Sequence, residues 1–496
     1  MAGDAWSDLK GRVTELEALQ QVTALLSWDQ QTMMPPGGAA GRGRHLSTLS
    51  ALAHDKLVDD ALGDWLGELE ARDPADLSEV QLASMRKIRR LHDRARCVPT
   101  SLVRAMAEAS SAGVGAWVEA KQAADFAPFA PALTRIVELV RETAACHGPA
   151  AHPYDHLLEE YDPGATVADL EPMFARLGGE LATFVHEVSQ REGPAQLDLS
   201  LDEPGILAVG QRLVTALGFR PSDGRLDRSE HPFTVGIGPH DVRLTTHGYA
   251  DDLLGSLTGT IHECGHGLYE QGLNDDWVGT GVATAAGVGL HESQSRFWEN
   301  VIGRSRPFFG WLVGMLAEQW PDASFDPDQL YAAANRVHPS FIRVKADEAT
   351  YNLHIIVRFR LELALMTGDL QVADLPGAWN DLYDQLLGVR PPDPAQGVLQ
   401  DVHWAHGYFG YFPSYTVGNL YAASLKEAMQ ADLPDMWDQV GAGDFGAVLG
   451  WLREKVHARG HLVDAPQVFR DAVGDRDPVA DLMAHLRVRH GAMAGQ

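Results

Sequence analysis

The stretch that decides the fold is residues 253–268, LLGSLTGTIHECGHGL, near the middle of the chain. Apolar residues lead into its second half at helical spacing, which predicts an α-helix near residues 253–271. On that helix His262 and His266 lie four residues apart, about 40° around the axis, so both imidazoles face one side. Two imidazoles on one face can bind a single Zn²⁺ at roughly 2.0–2.1 Å.

The residues between the two histidines have different predicted roles. Glu263 lies about 100° around the axis from His262, which is too far for a natural third ligand. It is well placed to take a proton from a water molecule at the metal, which is the general-base position of a zinc peptidase. Cys264 points about 200° from His262, and we expect it to be a small packing residue.

A catalytic zinc ion uses three protein ligands and keeps a fourth position for water. His291 and Glu292 open a second predicted helix, and Glu292 follows His266 by 26 residues. That separation allows one loop and a return to an adjacent antiparallel helix. Glu292 is the predicted third ligand, although periodicity alone leaves His291 as a close rival.

The rest of the chain is mostly helical by its apolar periodicity. One helix is predicted to begin at Thr166, with Asp169 as its partner in a partial capping box. Residues 231–246, HPFTVGIGPHDVRLTT, alternate with period two on both sides of a turn and predict a β-hairpin. The expected fold class is mainly α: one large helical domain over residues 1–496, in one lobe or two, with a small antiparallel sheet beside the zinc helix.

Composition restricts the partners. The chain has 496 residues, with 40 Lys and Arg against 68 Asp and Glu, and a formal net charge of −28. This argues against nucleic acid or an anionic membrane as the main partner, because both require a positive field. Three scattered cysteines suit a reducing compartment. We find neither a secretory signal nor a membrane-spanning stretch of about 18 apolar residues, and therefore expect a cytoplasmic protein.

Five motifs, in order along the chain, resemble those of the carboxypeptidase Taq family of zinc metallocarboxypeptidases. The family patterns are DxRxT, HExxH, HES(G/Q), (I/V)RxxAD and GxxQDxHW. The matching segments are DVRLT at 241–245, HECGH at 262–266, HESQ at 291–294, IRVKAD at 342–347 and GVLQDVHW at 397–404. Two further stretches look familiar, SWDQ at 27–30 and GYFPSY at 410–415, so the resemblance covers most of the chain.

The resemblance implies a mostly helical fold with the metal at the base of a deep groove. It implies that Glu292, the glutamate of HES(G/Q), is the third metal ligand. It also implies a cytoplasmic homodimer with one Zn²⁺ per subunit, for which Co²⁺ is a possible substitute. The implied activity is removal of C-terminal residues, with broad specificity, from peptides that have a free C-terminus.

Removal of a C-terminal residue requires a group that binds the free carboxylate of the substrate. The resemblance points to Arg343, since the planar fork of arginine binds a carboxylate in a bidentate fashion. The alternative for Arg343 is a structural ion pair with Asp347, four residues further along a predicted helix. Arg243 is a second candidate for the substrate, or it orients a strand that pairs with the substrate backbone. Asp241 is predicted to fix either Arg243 or a ligand histidine.

The oxyanion of the reaction needs a donor besides the metal. Tyr411, Tyr415 and His403 are the candidates, because a phenol or an imidazole N–H donates without competing for zinc. Aromatic packing and a structural hydrogen bond are the alternatives for these three. Gln400 and Asp401 are predicted to contact the substrate or to support the site, and spacing alone does not separate these two roles.

The predicted function is a zinc-dependent metallocarboxypeptidase with Glu263 as its general base. Two other functions stay open at this point. One is a zinc endopeptidase or dipeptidase, and the other is a helical binding or scaffold protein whose zinc is structural. A structural site is closed by a fourth protein ligand and leaves no position for water.

Overall fold

The structure, a computed structural model, describes residues 4–191, 197 and 199–491. This part of the chain is mainly helical, which confirms the predicted fold class. The α-helices, in chain order, are α1 (Ala5–Thr32), α2 (Ala39–Leu57), α3 (Asp60–Glu70), α4 (Glu79–Cys97), α5 (Thr100–Ala123), α6 (Ala130–Cys146), α7 (Asp155–Tyr161), α8 (Val167–Ser189), α9 (Glu203–Ala216), α10 (Leu253–Glu270), α11 (Val288–Arg296), α12 (Arg306–Gln319), α13 (Pro327–Ala334), α14 (Glu348–Thr367), α15 (Leu375–Leu387), α16 (Phe412–Asp432), α17 (Met436–Gly441), α18 (Gly446–Lys455), α19 (Ala465–Val473) and α20 (Pro478–Gly491). None of these helices is long and apolar enough to cross a membrane.

Local capping explains where two of these helices begin. The Thr166 hydroxyl accepts a hydrogen bond from the backbone N–H of Asp169 at 3.2 Å, so the predicted capping box starts α8. Asp252 accepts from the N–H of Gly255 at 2.8 Å and starts α10, the helix predicted near residues 253–271. Each cap satisfies one of the N–H groups that the first turn of a helix leaves unpaired.

The sheet contains the strands β1 (Gly224–Arg228), β2 (Thr234–Gly238) and β3 (Asp241–Thr246) in the order β1-β3-β2. β2 and β3 form the predicted antiparallel hairpin. The prediction of an antiparallel sheet is wrong for β1, which pairs parallel to β3. β1 reads GRLDR, without apolar alternation, and so gave no strand signal. β3 is the central strand: it pairs antiparallel with β2 on one side and parallel with β1 on the other.

The described chain divides into two compact units, each assembled from separate segments. Unit 1 contains residues 4–96, 197, 199–334 and 424–475, and unit 2 contains residues 97–191, 335–423 and 476–491. The metal-ligand candidates belong to unit 1, and the Arg343 and His403 segments belong to unit 2. One domain over residues 1–496 stays a prediction.

In unit 1, α10 packs against α9, α11, β2 and β3. Its apolar residues Leu257, Ile261 and Leu268 are buried. The HExxH segment is therefore held between the sheet and the helix that carries Glu292, because the apolar face of α10 must be covered by these elements.

Unit 2 is built around α14, which is buried along most of its length. Aromatic and aliphatic side chains of α6, α8 and α15 pack with it in one hydrophobic core. Because α14 is enclosed on its sides, its polar residues His354, Arg358 and Glu362 are buried as well. A buried polar group is costly unless it is paired, so each of these residues has a partner inside the unit.

Candidate active site

The HExxH segment of α10 lies very close to α11. A Cβ at Gly265 would be 2.6 Å from the carbonyl oxygen of Gln294 and 2.7 Å from the Cα of Ser295. No side chain fits at these distances, so glycine between the histidines allows the backbones of α10 and α11 to approach. The neighbouring Cys264 is fully buried, in keeping with a packing role.

Glu292 on α11 reaches both histidines. Its Oε2 lies 3.3 Å from Nε2 of His266 and 3.7 Å from Nε2 of His262. Ligand atoms at roughly 2.0–2.1 Å around a tetrahedral ion are about 3.3 Å apart, so these atoms fit a single Zn²⁺. One ligand atom from each residue lies within 4.8 Å of the others. The structure thus brings together the three residues predicted as metal ligands.

A network of charged side chains supports these ligands. Nδ1 of His262 is 2.9 Å from Oε2 of Glu299. Arg296 donates from Nε to Oε1 of Glu292 at 2.6 Å and from Nη1 to Glu299 at 3.2 Å. Arg304 donates to the other oxygen of Glu299 at 3.2 Å. Glu299 therefore fixes the tautomer of His262 that keeps Nε2 available for a metal.

The pKa values in this cluster follow from burial and from charge. Burial opposes the charged form of His262, but Glu292 and Glu299 outweigh it and raise the pKa of that imidazole. Burial lowers the pKa of His266 to about 3, so this side chain is neutral, as a metal ligand must be. Burial alone would raise the pKa of Glu292, but Arg296 and the two histidines hold it well below its usual range.

His291, the rival third ligand, makes other contacts. Its Nε2 lies 3.0 Å from Oε1 of Glu270, and its ring stacks on His266 with the centroids 4.4 Å apart. Nδ1 of His266 has no hydrogen-bond partner among the described residues. His291 therefore packs against the ring of His266, while the carboxylate oxygen that lies near both HExxH histidines belongs to Glu292.

Glu263 faces strand β2. The Thr234 hydroxyl lies 2.7 Å from Oε2 of Glu263 and 2.9 Å from its main-chain carbonyl oxygen. Burial raises the pKa of Glu263, while His262 and the Thr234 hydroxyl oppose this rise. A raised pKa makes the carboxylate a stronger base than an exposed glutamate.

The DxRxT motif lies on β3. Asp241 accepts hydrogen bonds from Nε and Nη2 of Arg243, the second at 2.9 Å, so Arg243 is the partner that Asp241 fixes. The Arg243 guanidinium also lies 4.8 Å from the ring centroid of Trp28. The Thr245 hydroxyl accepts from the backbone N–H of Phe233 at 2.8 Å. The motif therefore fixes an arginine and ties β3 to the start of β2.

Within unit 2, Arg343 belongs to a buried cluster with Asp401 and Arg358. Arg343 donates from Nε and Nη2 to Oδ1 of Asp401 at 3.0 and 2.9 Å. Arg358 donates from Nε and Nη2 to Oδ2 at 2.7 and 2.5 Å. Burial would raise the pKa of Asp401, but the two guanidinium groups hold it well below its usual range. Two cations share one anion, which leaves one positive charge.

The alternative partner for Arg343, Asp347 on the same helix, is wrong. Arg343 lies in a 3-10 helix, Arg343–Lys345, and Asp347 is the N-cap of α14. The Asp347 carboxylate accepts from the backbone N–H groups of Ala349 and Thr350 at 3.0 and 3.1 Å. Because α14 begins after Asp347, the two residues do not have the helical spacing that the sequence interpretation assumed.

Gln400 holds the backbone around Arg343. Its Oε1 accepts from the Arg343 N–H at 2.8 Å, and its Nε2 donates to the carbonyl oxygen of Phe341 at 2.9 Å. These contacts fit the supporting role considered for Gln400, and Asp401 likewise binds protein arginines.

His403, Tyr411 and Tyr415 lie together. The ring centroids of His403 and Tyr411 are 5.6 Å apart, and those of Tyr411 and Tyr415 are 5.3 Å apart. Nε2 of His403 is 3.5 Å from the Tyr415 hydroxyl. Burial lowers the pKa of His403 to about 4, so its imidazole is neutral at pH 7 and keeps one N–H. The structure brings the three predicted oxyanion donors into one aromatic group.

Glu362 on α14 is a buried carboxylate with neutral donors. It accepts from the Tyr154 hydroxyl at 2.5 Å, from Nε1 of Trp404 at 2.7 Å and from the N–H of Gly410 at 3.0 Å. Burial raises its pKa to about 7. Since Trp404 and Gly410 both lie in the segment 403–411, Glu362 ties this segment to α14.

A model of the carboxypeptidase Taq (M32) metallopeptidase family matches residues 8–490. The chain belongs to this family. It is 37% identical over 508 residues to thermostable carboxypeptidase 1 of Thermus thermophilus, with 99% of each chain covered. It is 35% identical over 473 residues to carboxypeptidase 1 of Bacillus subtilis, with 94% of each chain covered. The crystal structure of the M32 carboxypeptidase from Deinococcus radiodurans R1 matches with a TM-score of 0.96, 35% identity and 100% of each chain covered. The protein is therefore a metallocarboxypeptidase.

Several side chains of this M32 metallopeptidase that contact predicted site residues were missed from the sequence, among them Thr234, Arg296, Glu299 and Arg358. Glu299 follows Glu292 by seven residues, about two helical turns, so helical spacing carried a signal for it. Thr234 and Arg358 carried none, because the residues they bind lie 29 and 43 positions away in the chain.

Proposed function

We propose that this metallocarboxypeptidase depends on zinc and removes single amino acids, with broad specificity, from the C-terminus of peptides. The observation that carries the proposal is the group His262, His266 and Glu292, with Glu263 on the same helix. In the described residues this candidate metal group has three members. Three protein ligands leave one position for water, which favours a catalytic ion over a structural one.

His262, His266 and Glu292 hold the ion in this proposal, one ion per subunit. A bound divalent cation supplies Lewis acidity, which makes a water molecule more acidic and polarises the scissile carbonyl. Imidazole nitrogen and carboxylate oxygen suit Zn²⁺, and Co²⁺ is the proposed substitute.

Glu263 is the proposed general base. Its Oε2 accepts the hydrogen bond from Thr234, which leaves Oε1 to accept the proton of the attacking water. The same carboxyl group then donates that proton to the leaving amine. The burial that raises the pKa of Glu263 supports both steps, because the group holds a proton more readily than an exposed glutamate.

Arg343 is the proposed binding group for the free carboxylate of the substrate. The charge of its cluster supports this role: Asp401 balances only one of the two guanidinium groups that bind it. The Arg358 side chain is fully buried, and that of Arg343 is 7% exposed, so Arg343 is the cation that a ligand reaches. A charge-assisted bond to the substrate carboxylate then balances the remaining charge. Arg243, paired with Asp241, is proposed to orient the strands beside Glu263.

His403, Tyr411 and Tyr415 remain the proposed oxyanion donors. The neutral imidazole of His403 has one N–H to give, and each tyrosine has a hydroxyl. Their common aromatic group supports a shared role, in which one side chain donates and its neighbours orient it.

We also propose a cytoplasmic homodimer. Cys97, Cys146 and Cys264 form no disulfide in the structure, which is compatible with a reducing compartment. Light scattering at several protein concentrations tests the assembly, and a monomer at all concentrations contradicts the dimer.

The function is tested on a panel of peptides that differ in their last residue. The protein is depleted of metal, restored with Zn²⁺ or Co²⁺, and its products are read by mass spectrometry. We expect stepwise loss of single C-terminal residues only after restoration. Internal fragments would indicate an endopeptidase and released dipeptides a dipeptidase. Intact peptides with tightly bound zinc would favour a structural ion.

A further inference from the structure

Thr234 on β2 makes two contacts with Glu263. Its single hydroxyl proton has two acceptors within reach, the carboxylate Oε2 at 2.7 Å and the main-chain carbonyl at 2.9 Å. The carboxylate is nearer, and a hydrogen bond to an ionised acceptor is the stronger of the two. Among the described residues, this hydroxyl is the hydrogen-bond donor that reaches the Glu263 carboxylate. The side chain of the proposed base is therefore held from β2.

The position of Thr234 is itself fixed, through its neighbour Phe233. The hydroxyl of Thr245 accepts from the Phe233 N–H at 2.8 Å and from the Ser229 hydroxyl at 2.7 Å, and it lies 3.1 Å from the Phe233 carbonyl oxygen. The N–H of Thr245 donates to the same carbonyl at 2.9 Å. Thr245 is fully buried, so these contacts are shielded from water.

We propose that Thr234 is a positioning residue for Glu263, and that Thr245 of the DxRxT motif holds Thr234 in place. The hydroxyl occupies Oε2 and so directs Oε1 to the attacking water. This inference rests on the proposed role of Glu263 as the base. A base held in one rotamer by a strand needs less reorganisation when the substrate arrives, because its orientation is set before the reaction begins.

The test compares Thr234→Val with Thr234→Ser. Valine keeps the shape and removes the hydroxyl, and serine keeps the hydroxyl. We expect Thr234→Val to lower kcat about tenfold to a hundredfold, the effect of one hydrogen bond to a charged group, with little change in KM. Thr234→Ser is expected to restore most of the wild-type kcat. Equal loss in both variants, or wild-type kcat in Thr234→Val, overturns the inference.

Thr246→Val is the matched control for the loss of a buried hydroxyl. Thr246 lies on β3, and its hydroxyl contacts that of Thr260 at 2.6 Å, away from Glu263. We expect this variant to lose some thermal stability and to keep its kcat. Zinc affinity, measured by competition with a chelator, is expected to be unchanged in Thr234→Val, because Thr234 contacts no ligand. A parallel fall in zinc affinity would assign Thr234 to the metal site instead.

A double-mutant cycle with Glu263→Asp separates this inference from the proposed function. The shorter aspartate no longer reaches the hydroxyl, so adding Thr234→Val to it is expected to cost nothing further. If Thr234→Val lowers kcat as much in the Glu263→Asp background as in the wild type, Thr234 does not act through Glu263. Glu263→Gln tests the base itself. Wild-type turnover in that variant overturns the proposed function, whereas an inactive Glu263→Gln with a fully active Thr234→Val overturns only the positioning role.

Discussion

The metal-ligand group of unit 1 and the arginine cluster of unit 2 both bury several charges, with opposite results. In unit 1, Glu292 and Glu299 pair with Arg296 and Arg304, and the carboxylate of Glu263 accepts from a neutral hydroxyl, so three carboxylates stand against two guanidinium groups. In unit 2, Arg343 and Arg358 share Asp401. With His262 and His266 neutral, as metal ligands are, the first group has an excess of negative charge, and the second has an excess of positive charge.

This difference suggests which ligand each cluster binds. A buried excess of charge is costly unless a ligand of opposite sign compensates for it. The unit 1 group suits a divalent cation, and the unit 2 cluster suits a carboxylate. A metallocarboxypeptidase needs a site for a metal ion and a site for the substrate carboxylate. Variants of the two clusters should therefore differ in which step they impair.

The largest expected effect is in unit 1, in Glu263→Gln. Loss of a general base lowers the rate about a hundredfold to ten-thousandfold, since the amide accepts no proton from water. Metal content, measured by mass spectrometry of the metal, is expected to stay at the wild-type level. Glu318→Gln is the control, because Glu318 pairs with Arg212 on the surface of the same unit. A large loss of metal in Glu263→Gln would contradict the separation between base and ligands.

The next effect is in unit 2, in Arg343→Ala. We expect KM to rise about a hundredfold for peptides with a free C-terminus, because the substrate carboxylate loses a charged partner. Peptides with an amidated C-terminus lack that charge, so their KM is expected to change little. Arg390→Ala, an exposed arginine of unit 2 that pairs with Asp381 at 3.3 Å, is the control. An equal loss on both kinds of peptide removes Arg343 from the anchoring role.

A third test compares two buried carboxylates within unit 2. Asp401 is ionised by its arginines, whereas Glu362 has neutral donors and a pKa of about 7 against an ordinary value of 4.5. Between about pH 4.5 and pH 7, Glu362 is therefore protonated in the native protein and ionised in the unfolded chain. The free energy of unfolding is expected to fall by about 3 kcal/mol as the pH rises from about 4.5 to about 7.

Glu362→Gln isolates this effect, because the amide does not titrate. The difference in unfolding free energy between wild type and Glu362→Gln, measured by urea denaturation at several pH values, should change over that interval. A difference independent of pH would show that Glu362 is ionised in the native protein, as Asp401 is.

The smallest expected effect concerns the spacing of the unit 1 ligands. In Gly265→Ala the new Cβ meets the backbone of α11, which we expect to cost about 1–3 kcal/mol of stability and to weaken zinc binding. Gly259→Ala is the control on the same helix, since a Cβ there has nothing within 4 Å. It is expected to be neutral or to stabilise by up to about 1 kcal/mol. Thermal unfolding and chelator competition compare the two, and equal behaviour contradicts the close-approach argument.

The two clusters also differ in how much of them the sequence predicts. His262, Glu263 and His266 share one helix, so helical geometry alone places them, and the nearby Glu292 needs only one loop. The unit 2 cluster joins residues 343, 358 and 401, which no local period relates. There the i,i+4 rule selected Asp347, because the sequence does not show that α14 begins at Glu348.

The same limit applies to the fold. Amphipathic helices and the β2–β3 hairpin were predictable because each carries its own period. β1 was not predictable, because it has no apolar alternation of its own and pairs with β3, which follows β2 in the chain. Thr234 was missed for the same reason: its importance comes from a contact with Glu263, 29 residues later.

The contact at Gly265 has a consequence for protein engineering. The distance between Glu292 and the histidines is set by two backbones that touch where a side chain is absent. If only His262, Glu263 and His266 were transplanted onto a helix of an unrelated scaffold, the neighbouring helix of that scaffold would lie too far away to supply a third ligand. A successful graft also has to include the glycine at position 265 and the turn of α11 that packs against it.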